Sequence, residues 1–338
     1  TFASLNNVHC PTGGSPSNVI SINVEEDRNP VVTVNPSNTV CAEDVAGLTF
    51  TANITDGVGT DTYQWSKNGT AIVGATNTTY SPGLGDIVDG DVITFQVSTT
   101  LPDQCSFTSN SVSMNVSDAP AAATVSSSAN ANTICSGDSV VITAGVVAGA
   151  SYAFRLNGAP ANASHVAANV YTVPAGLITS QATVTVVVTN GGGCDATAEL
   201  TVFVPEFVSA GQVSIDFADL VLCAGSLIAT DISDTASATV AGSAGTVATY
   251  QWQSRVSIAA GWQNIAGATS NIFDVSVTPF TVTEDIEIRR LTFASLNNVH
   301  CPTGGSPSNV ISINVEEDRN PVVTVNPSNT VCAEDVAG

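Results

Sequence analysis

Cysteine is the residue type whose number and spacing most plainly imply chemistry in this 338-residue chain. Its eight cysteines are Cys10, Cys41, Cys105, Cys135, Cys194, Cys223, Cys301 and Cys332. No two of them form a Cys-x-x-Cys pair, and the histidines, His9, His165 and His300, are too few and scattered for a zinc site. Disulfide formation in an oxidising compartment is the chemistry that we predict, with free buried cysteines as the alternative.

Other side chains offer weaker chemistry. No nucleophile is recognisably matched to a base, so we predict no catalytic residues and no enzyme activity. Two acidic groups could offer oxygens to calcium, namely Glu25-Glu26-Asp27 (repeated as Glu316-Glu317-Asp318) and Asp86, Asp89 and Asp91. Neither fits a calcium-loop pattern, so we interpret both as solvated acidic turns and predict no metal site. Calcium at domain junctions is the alternative, and no other cofactor is expected.

A long repeat dominates the sequence. Residues 1–47 and 292–338 are identical at all 47 positions, with an offset of 291 residues. We therefore expect a 291-residue repeat that continues past both ends of the chain, with a duplication limited to two copies as the alternative. The overlap carries a net charge of −4, so −18 of the total −22 belongs to one repeat. That charge, with Lys67 as the single lysine, opposes contact with nucleic-acid phosphates.

A weaker threefold repeat lies inside the 291 residues. Each copy has a cysteine after a short strand, as in TVCAEDVAGLTFTANI (39–54), TICSGDSVVITAGV (133–146) and VLCAGSLIATDI (221–232). An aromatic strand containing Trp65, Phe154 or Trp252 follows, then an alternating strand, a second cysteine and a closing strand. We predict domains over 30–117, 118–205 and 206–319. Residues 1–29 would end a preceding domain, and residues 320–338 would begin the next.

The recurrence of two cysteines in each domain predicts one bridge per domain. The expected pairs are Cys41–Cys105, Cys135–Cys194 and Cys223–Cys301, each stapling one end of its domain. Cys10 is the copy of Cys301 and Cys332 is the copy of Cys41, so we expect their partners to lie outside the chain.

Composition and periodicity predict an all-β fold. Charged residues make up 11% of the chain, and threonine and valine are abundant. Ile93, Phe95 and Val97 alternate with polar residues, as expected for a half-buried strand. About 97 residues per copy, with turn signals such as Asn68-Gly69, favour tandem immunoglobulin-like β-sandwiches. No apolar stretch is long enough to span a bilayer as a helix.

These landmarks resemble the immunoglobulin-like repeats of giant cell-surface adhesins of Bacteroidetes, such as gliding-motility adhesins of the SprB type. The resemblance is carried by CAEDVAGLTFTA (41–52), TYQWSKNGT (62–70), TYSPG…DGD (79–91) and SNSVSMNV (109–116). It implies export to the cell surface by type IX secretion and a role in adhesion, and it brings no catalytic residues. In that setting, Asp-Ser-Val and Asp-Thr-Ala predict O-glycosylation at Ser139 and Thr235.

The function that we expect is a structural and adhesive stalk that holds a binding tip away from the cell. Its partners would be neighbouring identical repeats and an extracellular surface or glycan. Short linkers predict a stiff rod, about 110–130 Å per repeat if each sandwich spans about 35–45 Å. An array of glycan-binding modules is the alternative. An exposed aromatic residue would support it, and Trp262 is the best candidate, although a second core tryptophan is the more ordinary interpretation.

Overall fold

The chain was analysed as a computed structural model, which describes residues 3–5, 8–10, 18–21, 27–100, 105–216 and 220–316. The fold is all-β, with tandem immunoglobulin-like sandwiches. The chain divides into two compact units. Unit 1 contains residues 1–121 and 189–195, and unit 2 contains residues 122–188 and 196–338.

Unit 1 contains the strands of the first sandwich, β3 to β12, and a separate pair, β1 and β2. The strands are β1 (Ala3–Leu5), β2 (Val8–Cys10), β3 (Val31–Asn35), β4 (Thr39–Cys41), β5 (Thr49–Asn53), β6 (Thr62–Lys67), β7 (Thr70–Ala71), β8 (Thr79–Tyr80), β9 (Val92–Ser98), β10 (Ser106–Thr108), β11 (Val112–Ser113) and β12 (Asn115–Ser117). One sheet has the order β3-β5-β8, and the other has the order β10-β9-β6-β7 with β11 also on β9. A 3-10 helix covers Ala42–Gly47.

The core of the first sandwich forms because both sheets turn apolar faces inward. Ile93, Phe95 and Val97 are fully buried, as their alternation predicts. Trp65 is also fully buried, packs edge-on against Phe95 with ring centroids 4.9 Å apart, and donates its indole N–H to the Asn77 carbonyl. Removing so large a buried ring costs about 3–5 kcal/mol.

The second sandwich lies in the first part of unit 2, apart from the hairpin residues 189–195. Its strands are β13 (Val125–Ser127), β14 (Val140–Ala144), β15 (Ser151–Leu156), β16 (Ala159–Pro160), β17 (Val166–Ala167), β18 (Val170–Val173), β19 (Ala182–Thr189) and β20 (Asp195–Val202). The sheets are β13-β14-β18-β17 and β16-β15-β19-β20. Two 3-10 helices cover Asn130–Asn132 and Ala163–His165. Phe154 takes the place of the tryptophan and is buried against Tyr171.

The third sandwich completes unit 2. Its strands are β21 (Pro205–Ser209), β22 (Gln212–Ser214), β23 (Val221–Cys223), β24 (Ser226–Leu227), β25 (Ser233–Ala236), β26 (Thr239–Gly242), β27 (Val247–Arg255), β28 (Gln263–Asn264), β29 (Thr281–Val282), β30 (Ile286–Leu296), β31 (Val299–Pro307) and β32 (Ile311–Glu316). The main sheet has the order β23-β32-β30-β27-β28, with β31 also on β30. Strand pairs β21-β26, β22-β25 and β24-β29 complete this sandwich. Trp252 is fully buried in its core beside Phe273.

The Asn-Gly turns have the conformation that the sequence predicts. Asn68 and Gly69 have φ of 52° and 77°, and Asn157 and Gly158 have φ of 50° and 81°. Each pair forms a two-residue hairpin turn, since Lys67 pairs with Thr70 and Leu156 pairs with Ala159. Among the described residues, no helix is long and apolar enough to cross a membrane.

Candidate functional site

The first cysteine of each sandwich lies where the closing strand ends. β4 runs parallel to β12, with Cys41 opposite Ser117, and β23 runs parallel to β32, with Cys223 opposite Glu316. In the second sandwich, Thr133 forms a parallel bridge with Phe203 two residues before Cys135. In all three sandwiches the first cysteine therefore lies at the end from which the chain leaves.

The second cysteine of each sandwich lies at the opposite end. Cys105, Cys194 and Cys301 follow β9, β19 and β30, in the hairpin that begins the closing segment. In the first sandwich that segment runs along the whole of β9, from the Ser106–Ser98 pair to the Ser113–Val92 pair, before it reaches β12. Seven strand residues span more than about 20 Å, whereas a disulfide needs Cα atoms within about 7 Å.

The pairing within sandwiches that the sequence suggested is therefore wrong. The predicted pairs Cys41–Cys105, Cys135–Cys194 and Cys223–Cys301 each join opposite ends of one sandwich. The structure instead contains Cys41–Cys194, with Cα atoms 5.7 Å apart, and Cys135–Cys301, with Cα atoms 5.4 Å apart. Each bridge joins the first cysteine of one sandwich to the second cysteine of the next sandwich along the chain.

The hairpin that holds Cys194 belongs to unit 1 and fits against the end of the closing strand β12. Asn190 donates its side-chain N–H to the Asp118 carbonyl at 2.7 Å. Its side-chain oxygen accepts the N–H groups of Gly192 and Cys194 at 2.9 and 3.0 Å. Asn190 thus shapes the hairpin and anchors it to the segment that follows β12.

The second bridge lies within unit 2 and has an analogous asparagine. Asn297, in the turn between β30 and β31, donates its side-chain N–H to the Thr133 hydroxyl at 2.8 Å. Its carbonyl accepts the side-chain N–H of Asn130 at 3.0 Å. Hydrogen bonds therefore reinforce the contact that the Cys135–Cys301 bridge makes covalent.

The carboxylates of Asp86, Asp89 and Asp91 hold turns of the first sandwich. Asp86 accepts the N–H of Gly83 at 2.7 Å, and Asp89 accepts the N–H of Val116 at 3.0 Å. Asp91 accepts the N–H of Val88 and the side-chain N–H of Asn68, and Lys67 lies 3.5 Å away. Burial raises the pKa of Asp91, but these hydrogen bonds and the lysine charge together lower it below its ordinary value.

The acidic stretch at the predicted domain junction is only partly described. Glu25, Glu26, Glu317 and Asp318 lie outside the described residues, while Asp27 accepts the N–H of Asn29 at 3.0 Å and Glu316 ends β32. Arg28 beside them is buried and forms an ion pair of 3.1 Å with the buried Asp61. No group of three potential metal ligands is found among the described residues. Calcium at the junction stays a hypothesis.

The histidines show no catalytic arrangement among the described residues. His300 is exposed and lies opposite Ser295 across β30 and β31, with its Nδ1 atom 2.6 Å from the serine Oγ. The contact is a cross-strand pair beside the bridged Cys301, and Thr249 is its other partner. His165 is exposed at the end of a 3-10 helix. The side chain of His9 lies outside the described residues, as do the side chain of Cys10 and the whole of Cys332.

Trp262 occupies neither of the positions considered from the sequence. It is half-buried outside the apolar core of the third sandwich. The guanidinium groups of Arg255 and Arg289 stack over its ring, 4.5 and 4.1 Å from the centroid. Desolvation, followed by the charge of Arg255, lowers the pKa of Arg289. A signal for this site could have been read from the sequence, because alternation in EIRR puts Glu287 and Arg289 on one face of β30.

The two predicted glycosylation acceptors are accessible. Ser139 is exposed directly before β14, and Thr235 is exposed within β25. The aspartate before Thr235 has a structural role, because Asp234 forms an ion pair with Arg290, whose side chain is fully buried. Arg290 also donates to the Ala210 carbonyl and lies 4.8 Å from the Tyr250 ring centroid.

No family model matches the chain, and no curated protein matches it. Solved structures with a similar arrangement are multidomain proteins at low identity. Three N-terminal domains of the bacteriophage RB49 outer capsid protein Hoc are 12% identical, with a TM-score of 0.40 and coverage of 86% of this chain and 99% of that one. Titin domains A168–A170 are 12% identical, with a TM-score of 0.34 and coverage of 88% and 97%. Part of a 1.5-MDa bacterial ice-binding adhesin is 14% identical, with a TM-score of 0.29 and coverage of 86% and 97%.

Proposed function

We propose that this chain is part of the stalk of a long, repetitive cell-surface filament or adhesin, which holds a binding tip away from the cell. The observation that carries the proposal is the connectivity of the disulfides. Both bridges join consecutive sandwiches of the repeat and leave no sandwich closed on itself. Bonds between neighbours strengthen an array, whereas bonds within a domain strengthen only that domain.

The bridges shorten the route by which tension passes along the chain. The main chain from Cys41 to Cys301 is 260 residues long. Through the two disulfides, the shortest covalent route between the same two residues uses only the 59 residues from Cys135 to Cys194. A sandwich that unfolds under load therefore releases little length, because the bridges carry the load past it.

The bridges also stabilise the fold against complete unfolding. They close loops with sequence separations of 153 and 166 residues. Loop entropy assigns about 5 kcal/mol to a loop of this size, before any allowance for the overlap of the two loops. Disulfides persist outside the reducing cytosol, so we propose an extracellular location at the cell surface. Type IX secretion and gliding motility belong to the same proposal, through the family resemblance alone.

The length of the particle tests the stalk proposal. Chains with one, two and three copies of residues 1–291, each ending in residues 292–338, are imaged as single particles. The proposal expects each added copy to lengthen the particle by a constant increment of about 110–130 Å. Particles whose maximum dimension does not increase with repeat number would contradict the proposal, since such an array could not act as a spacer.

A glycan-binding array remains the second candidate, on account of Trp262 and the exposed loops. The arginine stacking weighs against it, because two guanidinium groups already cover the indole ring. Binding of the chain and of its Trp262→Ala variant to an immobilised glycan panel decides the matter. Binding that is lost in Trp262→Ala supports this role, and the absence of binding by the unaltered chain refutes it.

A further inference from the structure

Two cysteines in the described part of the chain have no disulfide partner within it. They are Cys105, which is half-buried, and Cys223, which is exposed. Cys223 is the first cysteine of the third sandwich, and Cys105 is the second cysteine of the first sandwich. Their local structures decide whether they are ordinary free thiols or positions built for a bridge.

Cys223 is held in the same way as the bridged Cys135. Each is followed two residues later by a left-handed glycine, Gly137 with φ of 83° and Gly225 with φ of 86°. The N–H of Gly137 donates to the Ile178 carbonyl, and the N–H of Gly225 donates to the Val282 carbonyl, both at 2.8 Å. Cys223 also matches the bridged Cys41, since both end a strand parallel to the closing strand.

Cys105 is held in the same way as the bridged Cys194. The Cys194 carbonyl accepts the N–H of Asn190 at 3.0 Å, and its own N–H donates to the side-chain oxygen of Asn190 at 3.0 Å. The Cys105 carbonyl accepts the N–H of Thr99 at 3.0 Å, and its N–H donates to the side-chain oxygen of Thr99 at 3.1 Å. The reciprocal pattern fixes both cysteines at the same place in their hairpins.

Both observed bridges follow one rule, in which the first cysteine of a sandwich bonds to the second cysteine of the following sandwich. Because residues 292–338 repeat residues 1–47, the sandwich that follows the third is a second copy of the first. We propose that Cys223 of one repeat forms a disulfide with Cys105 of the next repeat. The inference rests on the proposed filament for the presence of that next repeat, and it makes the line of bridges continuous.

The reaction is a two-electron oxidation. The two thiols lose two protons and two electrons as the S–S bond forms. An oxidised dithiol–disulfide carrier of the secretory or extracellular compartment accepts them and becomes a dithiol. In vitro, oxidised glutathione serves the same purpose and leaves as two molecules of reduced glutathione.

A continuous line of bridges would limit how far the filament can extend. The covalent route would then use the 29 residues from Cys194 to Cys223, the 30 from Cys105 to Cys135 and the 31 from Cys301 to Cys332. These 90 residues would cover two whole repeats. Without the Cys223–Cys105 bridge, the shortest route over two repeats has 180 residues, so the bridge halves the maximum extension.

The test uses a two-repeat chain, in which residues 1–291 precede the complete 338-residue chain. Because the copies are identical, Cys105→Ser in the first copy and Cys223→Ser in the second leave one cysteine of each kind, in the proposed order. The matched control carries Cys223→Ser in the first copy and Cys105→Ser in the second, which leaves the same cysteines in non-adjacent sandwiches. Both chains are oxidised with glutathione, and monomers are isolated under non-reducing conditions.

Digestion after acidic residues gives the readout, since peptides 104–118 and 220–231 each contain one cysteine. We expect these peptides to be linked in the monomeric test chain and to carry free thiols in the control. Free thiols in both chains overturn the inference, as does equal linkage in both or linkage found only in covalent dimers. Linked peptides for Cys41–Cys194 and Cys135–Cys301 verify the fold of each chain, so a negative result here leaves the particle-length test of the stalk undisturbed.

Discussion

Reduction of the two bridges should release a large, calculable length of chain under tension. The covalent route from Cys41 to Cys301 grows from 59 to 260 residues when both disulfides are broken. At about 3.5 Å per extended residue, the additional 201 residues correspond to about 700 Å. Single-molecule force spectroscopy on the 338-residue chain, held by its ends with and without reductant, measures this difference directly.

One variant separates bridges between sandwiches from bridges within them. Cys105 takes no part in either observed bridge, so Cys105→Ser should leave the extended length of the oxidised chain unchanged. If Cys41 were instead bonded to Cys105, the same substitution would lengthen the covalent route by 64 residues, or about 220 Å. An increase of that size would refute the reasoning, and so would an oxidised chain that extends as far as the reduced one.

Three further predictions concern single side chains. The pKa of Asp91 is lowered in the folded state, so its contribution to stability is present above about pH 4 and is lost as pH falls through the folded-state pKa; Asp91→Asn should flatten the acid side of the stability profile, measured by urea unfolding with Trp65 fluorescence. Arg290→Met breaks a buried ion pair with Asp234 and should cost the third sandwich about 3–5 kcal/mol in denaturant unfolding, whereas Arg289→Met, on the more exposed face, should cost about 1 kcal/mol. Gly242→Ala would place a Cβ atom 2.3 Å from the Val204 carbonyl oxygen at φ of 96°, so its melting temperature should fall well below that of Gly225→Ala, where φ is 86° and the space is open.

The parts of the fold that could be predicted depend on local sequence. The burial of Trp65, Trp252 and Phe154 follows from one large aromatic on a strand of alternating character. The hairpins at Asn68-Gly69 and Asn157-Gly158 follow from residues that tolerate positive φ. Each feature needs only a few neighbouring residues to be recognised.

The cysteine pairing could not be predicted in this way, because it depends on contacts between distant segments. The sequence gives the order of the two cysteines in each sandwich but not the end at which each lies. The parallel pairing of β4 with β12, across residues 39 to 117, places Cys41 at the end opposite Cys105. The environment of Trp262 was missed for a related reason, since Arg255 and Arg289 reach it from two different strands.

Non-reducing peptide mapping of the oxidised 338-residue chain tests the central claim most directly. Cleavage after acidic residues isolates four cysteines in separate peptides: Cys41 in 28–43, Cys135 in 119–138, Cys194 in 139–195 and Cys301 in 288–316. Bridges between consecutive sandwiches predict that 28–43 is linked to 139–195 and that 119–138 is linked to 288–316. Linkage of 119–138 to 139–195, or of 28–43 to the peptide that contains Cys105, would contradict the account.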